Sequence, residues 1–470
     1  MRFASIAAMP LAFVLAGCAS LAIDDNHESL RQFAQQRLGS EVKWLTSEEA
    51  RKRAQAEVET LLAKPLAADD AVRIALAYSP ALQSMLFDAA GLSADATQSG
   101  RLPNPVFTFE RLVRNEGGRR ELEIERALGF SLLDVMLLPL RASEANARQQ
   151  QLRTRAAADV VQTVVDTRHA WVRAVAARQS AAYFEQVQTA AEASAELARR
   201  MQAVGNFSVL QRAREQAFYA DATAQLARAR HAATAARESL VRALGLDEEH
   251  ARALLLPDRL PDLPQAPRDE RELARFALED RLDMQMARAE LDATARAQGL
   301  TRITGWINGL HLAGISKSET DLPRQKGFEL ELQLPLFDSG SALRAGGQAR
   351  YMAALNRTTR VGIDAASQLR ESYSAYRTAH DLALHYRDEV VPLRKAIADE
   401  MLLLYNGNLA SVFELLADSR EQVGTVNRAL EALRDFWLAD SALQAALLGR
   451  PASAQTMEPM PAAAAGSAAH

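Results

Sequence analysis

Apolar positions recur along this chain at two different periods. From 67 to 100 they fall at helical spacing, with Ala71, Ile74, Ala75, Tyr78 and Leu82 on one side and Asp69 or Asp70 placed to cap the start. Pro103-Asn104-Pro105 ends that pattern. The period then drops to two. Val106-Phe107-Thr108-Phe109-Glu110 opens an alternating stretch, Gly117-Gly118 marks a turn, and Glu121-Leu122-Glu123-Ile124-Glu125 alternates strictly. The pattern predicts a β-hairpin over 105–131 with one apolar and one charged face. A helical tract of about 70 residues follows, from Asp134 to Val204, long enough to reach about 100 Å. Within it Val160, Val164, Thr167, Trp171 and Ala174 step by four and three residues, the spacing of a coiled coil. Gly205-Asn206 ends the tract, and Ser208 is placed to cap a returning helix that runs to about Leu244.

The same plan then occurs again. Leu132-Leu133-Asp134 returns as Leu336-Phe337-Asp338. Arg73, Ala75 and Leu76 return as Arg275, Ala277 and Leu278. Gly205-Asn206-Phe207-Ser208-Val209-Leu210 returns as Gly407-Asn408-Leu409-Ala410-Ser411-Val412. The order is kept at an offset of about 202–204 residues, the mark of a tandem duplication. The second copy predicts a helix near 270–298 and a strand over Thr301–Ile315. Its second strand, Gly327 to Leu334, is closed by Pro335. A long helix near 340–405, a turn at Asn406-Gly407-Asn408 and a helix near 410–448 complete it. The chain therefore divides into repeat one (66–245), a linker with Pro257, Pro261, Pro264 and Pro267 (246–269), and repeat two (270–449). The fold class is mainly α with a small β part: long antiparallel coiled-coil helices and two β-hairpins per chain.

The ends differ from this body. Residues 1–17 carry one early positive charge and a short apolar run, too short to span a bilayer, and read as a signal peptide. The run closes in Leu15-Ala16-Gly17-Cys18, which resembles a bacterial lipobox. Cys18 is the only cysteine, so no internal disulfide is available, and a lipidated (palmitate-bearing) Cys18 is the economical reading. Ala19 rather than Asp follows it, which by resemblance to sorted lipoproteins favours the outer membrane. Residues 18–65 form a polar, helix-prone lead-in, and 450–470 form an Ala/Pro/Ser-rich tail expected to be disordered. No apolar run of the mature chain is long enough for a transmembrane helix.

Composition narrows the function. A net charge of −4 without a dense basic tract argues against a nucleic-acid partner. No nucleotide loop, zinc-protease motif or nucleophile elbow occurs, so the chain is read as a non-enzyme without cofactor or metal. His380 and His385 are five apart and do not share a helix face; Met284 and Met286, two apart, point away from each other.

The hairpins carry the mechanistic clue. Strict alternation places Phe328, Leu330, Leu332 and Leu334 toward an apolar medium and Glu329, Glu331 and Gln333 toward a watery lumen, as in a membrane barrel. Four strands cannot close a barrel, and open edges are not tolerated in lipid, so such a chain must oligomerise in multiples of four strands. A trimer would supply twelve. The alternative is a four-stranded soluble sheet packed on the helices.

Several segments together resemble the TolC-type outer-membrane efflux factors: the lipobox, the duplicated plan, Leu102-Pro103-Asn104-Pro105, Leu334-Pro335-Leu336-Phe337-Asp338-Ser339-Gly340, and the run from Tyr405 to Leu416. The resemblance spans about 66–449, and the Leu-Pro-Asn-Pro run is most similar to the heavy-metal branch. It implies a homotrimer with a twelve-stranded barrel in the outer membrane and a helical barrel in the periplasm. It also implies a passive conduit in a tripartite efflux or secretion system, fed by an inner-membrane pump through a periplasmic adaptor. The adaptor would dock at the tip, at Gly205, Asn206, Ser208, Gly407, Asn408 and Ser411. The glycines there suit tight reversals because glycine accepts positive φ. The family's gate has two acids three apart after the second turn. Glu414 fits the first position, but the second is Ala417, with Asp418 displaced by one, so Glu414 and Asp418 are the candidate gate and a solvated helix face is the other reading. The competing function is an envelope-spanning coiled-coil lipoprotein or adaptor scaffold without a channel.

Overall fold

The computed structural model describes residues 21–269, 281–304, 309–333, 337 and 339–450. The signal peptide, Cys18, the start of the second repeat (270–280, with Arg275, Ala277 and Leu278), residues 334–336, Asp338 and the tail beyond 450 lie outside the described residues.

Helices dominate. The lead-in forms α1 (Leu21–Leu38) and α2 (Glu48–Leu62). Two helices, α3 (Ala68–Tyr78) and α4 (Pro80–Ser99), replace the single one expected over 67–100. The cause is Pro80, which forces the preceding Ser79 out of helical geometry to ψ 119°. Neither Asp69 nor Asp70 caps α3. Ala67 holds the cap position, and Asp70 is buried with its carboxylate 3.2 Å from Lys64 and 3.4 Å from Arg73.

The first hairpin, β1 (Val106–Glu116) and β2 (Arg119–Ser131), lies where alternation placed it. Its turn uses Gly117 and Gly118, both at positive φ (59° and 82°), a reversal that matches strand twist and that side chains resist. In the second hairpin, α8 (Leu282–Thr304) occupies the beginning of the expected strand. The strand β3 is Leu310–Glu319, and β4 is Gln325–Leu332. Thr301-Arg302-Ile303-Thr304 continues the polar-apolar rhythm of the helix before it, and a short stretch of that kind does not fix the period. The four strands form one antiparallel sheet in the order β1-β2-β3-β4.

Between these lie the long helices. α5 (Leu132–Ala203) runs 72 residues without interruption, and α6 (Val209–Leu244) returns. In repeat two the outward helix is broken into α9 (Ser341–His385), a π-helical turn (Tyr386–Val390) and α10 (Val391–Asn406), before α11 (Val412–Leu447) returns. Pro392 explains the break: it offers no N–H to the ladder, and a wider turn relieves its clash with the preceding carbonyls. Between the repeats, 246–269 includes α7 (Glu248–Ala253).

The chain divides into two compact units, each drawing on both sequence repeats. One comprises the described residues of Phe87–Ala156 and Asp283–Ile363, with those before Leu30, and holds the sheet. In it α4 packs against α5, where Gln149 Nε2 donates to the Ser93 carbonyl (2.6 Å) and to Thr97 Oγ1 (2.8 Å). The other comprises the described residues of Leu30–Leu86 and Ala157–Leu282 and those from Asp364 to Arg450. Its core joins Leu62, Leu66 and Ile74 to Trp171, Val175, Leu240 and Leu244. The coiled-coil positions Val160, Val164, Thr167, Trp171 and Ala174 are all buried. The inter-repeat segment is not a free linker: Leu254, Leu256 and Leu260 are buried in this core, and Leu263 packs with Tyr376 and Phe436. Its prolines shape an irregular path whose leucines are anchored. No helix among the described residues is long and apolar enough to cross a membrane.

Candidate functional site

The sheet separates its side chains by chemistry. Residues directly opposite in the pairing share a face. One face carries Phe107, Phe109, Leu128, Phe130, Leu312, Phe328, Leu330 and Leu332. The other carries Glu110, Glu121, Glu123, Glu125, Glu319, Glu329 and Glu331, with Lys317 held between Glu123 and Glu319 (2.9 Å to the latter). No acidic strand residue falls on the apolar face. That face is not covered by the described residues: Phe328 is 78% exposed, Phe107 64% and Leu330 57%. An uncovered apolar surface this continuous marks a contact with a membrane or another protein. The strand order also leaves β1 and β4 as edges whose outer backbone groups have no ladder partner among the described residues. Of the expected lumen residues, Glu329 and Glu331 lie on the acidic face; Gln333 stands just beyond β4, its N–H donating to the Gly309 carbonyl at 3.1 Å.

In the other unit the two long-helix turns meet. The Phe207 ring packs on the Phe413 ring at 4.7 Å, and Phe207 is buried. Both return helices begin with the same capping box. Ser208 Oγ accepts from Gln211 N while Gln211 reaches back to the Ser208 N–H (2.6 Å). Ser411 Oγ accepts from Glu414 N while Glu414 accepts from the Ser411 N–H (2.7 Å). The two hydroxyls expected at the docking tip are thus occupied by their own helices. The left-handed position is Gly205 in the first turn (φ 81°) but Asn408 in the second (φ 58°); Gly407 sits at φ −80°, where glycine is not required. The structural register of the duplication is therefore Gly205 with Asn408 and Ser208 with Ser411. Asn206, near the first reversal, sends its N–H to the Met201 carbonyl.

Glu414 and Asp418 have separate engagements. The Ser411 N–H, and after it the Ser411 hydroxyl, hold the Glu414 carboxyl below the usual carboxylate range. Asp418 is nearly buried and lies 3.5 Å from Arg394 of α10, which also binds Glu421. A third acid, Glu215 of α6, is buried, accepts from Ser194 Oγ at 2.7 Å and is paired with Arg420 of α11, whose guanidinium stacks over Phe218 at 4.7 Å. Sequence reading missed Arg394, Arg420 and Glu215, since partners on different helices carry no local spacing signal. It also missed the exposed apolar residues around the turns: Val204 (70%), Val209, Leu210 and Leu409 (79%). Their signal was present as a cluster of apolar residues on both sides of each Gly-Asn reversal.

His380 is buried against Phe436 with Nε2 3.3 Å from the Pro264 carbonyl, and His385 pairs with Glu389. Among the described residues no cluster of three His, Cys, Asp or Glu could hold a metal ion.

No protein-family profile matches the sequence, and neither does any curated protein. Solved structures do match. A membrane protein from Pseudomonas aeruginosa superimposes with a TM-score of 0.68 at 20% identity, over 86% of this chain and 96% of that one. The outer membrane protein VceC from Vibrio cholerae gives 0.68 at 14% identity, over 86% and 99%. The Campylobacter jejuni CmeC outer membrane channel gives 0.68 at 13% identity, over 86% and 88%. This chain shares with these membrane proteins a mainly helical fold with a small antiparallel sheet, in line with the resemblance to TolC-type factors.

Proposed function

We propose that this chain is the outer-membrane channel component of a tripartite efflux or secretion system, a passive conduit from periplasm to exterior. The observation that carries the proposal is the four-stranded sheet. It is apolar and uncovered on one side, acidic on the other, and open at both edges. Three copies joined edge to edge would remove every open edge and close a twelve-stranded barrel with its glutamates inward. An acidic lumen favours cations. The anchor would be a lipid on Cys18. The energy would come from an inner-membrane pump, coupled through a periplasmic adaptor seated on the turns at Gly205 and Asn408. The exposed Val204, Val209, Leu210 and Leu409, rather than the capped serines, would supply the contact area. Glu414 and Asp418 remain the gate candidates of this reading. A scaffold without a channel has no use for an uncovered apolar sheet with open edges. The test is the oligomeric state of the purified protein together with its conductance in a planar bilayer. Trimers with cation-preferring conductance support the proposal, and a non-conducting monomer or dimer refutes it.

A further inference from the structure

The apolar face of the sheet, which also carries Arg111 of β1 and Arg120 of β2, has one row that places a basic residue on either side of a hydroxyl. Ser316 of β3 lies directly opposite Arg126 of β2 and Lys326 of β4, all three on that face. Arg324, just before β4, turns its guanidinium onto the same spot, and its Nε donates to Ser316 Oγ at 2.8 Å. The Arg126 guanidinium lies 5.8 Å from the centre of the Phe109 ring, which aligns it over the face. All three cations lie on exposed residues, and among the described residues none of them is ion-paired. The carboxylates that could have neutralised them are on the opposite face. On one side of this row the face is continuously apolar: Phe107, Leu128 and Phe328 come first, then Phe130, Leu312 and Leu330.

Three cations along one row and its rim, with a hydroxyl among them and the Arg126 guanidinium leaning toward β1, lie at the margin of an apolar band and match one chemistry. A phosphate group would take charge-assisted bonds from the guanidiniums and the ammonium, while an attached acyl chain would lie on the phenylalanines and leucines. Inside hydrocarbon each basic residue would be strongly unfavourable, whereas at the headgroup level most of that penalty disappears. We propose that Arg126, Arg324 and Lys326, around Ser316, form a binding site for the phosphate of an anionic membrane lipid. A free phosphate would use only the charges, whereas the adjoining apolar rows commit the site to a lipid. The inference rests on the membrane-barrel reading above.

The test uses full-length protein in neutral detergent, with short-chain phosphatidylglycerol, phosphatidylcholine and inorganic phosphate as probes, followed by native mass spectrometry. Phosphatidylglycerol should bind in preference to phosphatidylcholine. Each cation near an anionic lipid is worth about five-fold in affinity, so the triple variant Arg126→Ser, Arg324→Ser, Lys326→Ser should lose that binding on the order of 100-fold. Should the triple variant misfold, Lys326→Gln alone should lose about five-fold. Unchanged phosphatidylglycerol binding in whichever variant folds overturns the inference, as does equal competition by inorganic phosphate. Conductance measured on the same preparation separates the two readings. A conducting wild type without preference for anionic lipid sinks the lipid site alone, whereas a non-conducting monomer or dimer sinks the channel and the site with it.

Discussion

Leu330 offers the sharpest discrimination between a sheet in lipid and a sheet in water. It lies opposite Leu312, with Phe130 on the next strand in the same row, and is 57% exposed within the chain. If that face meets water, Leu330→Lys changes a surface residue and shifts stability by no more than about 0.5 kcal/mol. If it meets hydrocarbon, the ammonium costs about 2–4 kcal/mol at mid-bilayer depth, a factor of about 30 to 1,000 in the folding equilibrium of each chain. The neighbouring Glu331→Lys is the control, since it points to the acidic face beside His311. It should leave stability nearly unchanged and reduce the preference for cations. The assay is urea unfolding of protein in phospholipid vesicles, followed by tryptophan fluorescence, with conductance on the same samples. Equal midpoints for wild type and Leu330→Lys would refute the lipid-facing assignment. A strong destabilisation by Glu331→Lys instead would show that the two faces have been exchanged.

Three further perturbations follow from the helical unit. Glu215→Ala removes the partner of Arg420 and the acceptor of Ser194 Oγ; with Arg420 itself partly solvated, the loss should be about 2–4 kcal/mol, seen as a lowered denaturant midpoint, and an unchanged midpoint would show the pair to be idle. Gly205→Ala should cost about 1 kcal/mol in thermal unfolding because φ is 81°, whereas Gly407→Ala, at φ −80°, should cost almost nothing; equal costs would contradict the observed register. Glu414→Gln keeps an N3 acceptor for the cap, as Gln211 does in the first turn, but removes a titrating group. The bonded carboxylate has a lowered folded-state pKa, so its contribution is complete above the ordinary Glu pKa and is lost as pH falls through the folded value. Wild type and variant should therefore differ in their pH dependence of melting only on the acid side, and parallel profiles there would refute a capping role for the carboxylate.

The parts of this fold that were legible in sequence are those set by short-range rules. Period-two alternation placed β1, β2 and β4 because a pleat alternates its faces whatever surrounds it. Ser208 and the heptad positions from Val160 to Ala174 were legible for the same reason: a cap and a seam are defined by neighbours along one helix. What failed depended on a competing local rule or on distant partners. Pro80 and Pro392 each overrode a periodic pattern that ran through them. The join between β2 and β3, which turns two hairpins into one sheet, links residues nearly two hundred positions apart and leaves no trace in either strand. The proline-rich segment looked like a linker by composition, and its leucines mattered only once the helices of both repeats had made a core to receive them.

The duplication is itself constrained by the turns. Aligning the glycines, Gly205 with Gly407, puts Ser208 against Ala410 and destroys the second cap. Aligning the left-handed residues, Gly205 with Asn408, restores Ser208 to Ser411 and Gln211 to Glu414, and gives return helices of 36 residues in both copies. Backbone conformation rather than residue identity is therefore what the repeats share. Asn tolerates left-handed geometry better than other side-chain-bearing residues, which allowed the second turn to move its reversal one position past the glycine without losing the cap. A difference within the shared cap that survives this alignment is at the third residue of the return helix, an amide in the first copy and a carboxylate in the second. The same capping bond thus fixes an uncharged group at one turn and an exposed negative charge at the other, and in a trimer that charge would recur three times around the opening with its side chain already immobilised.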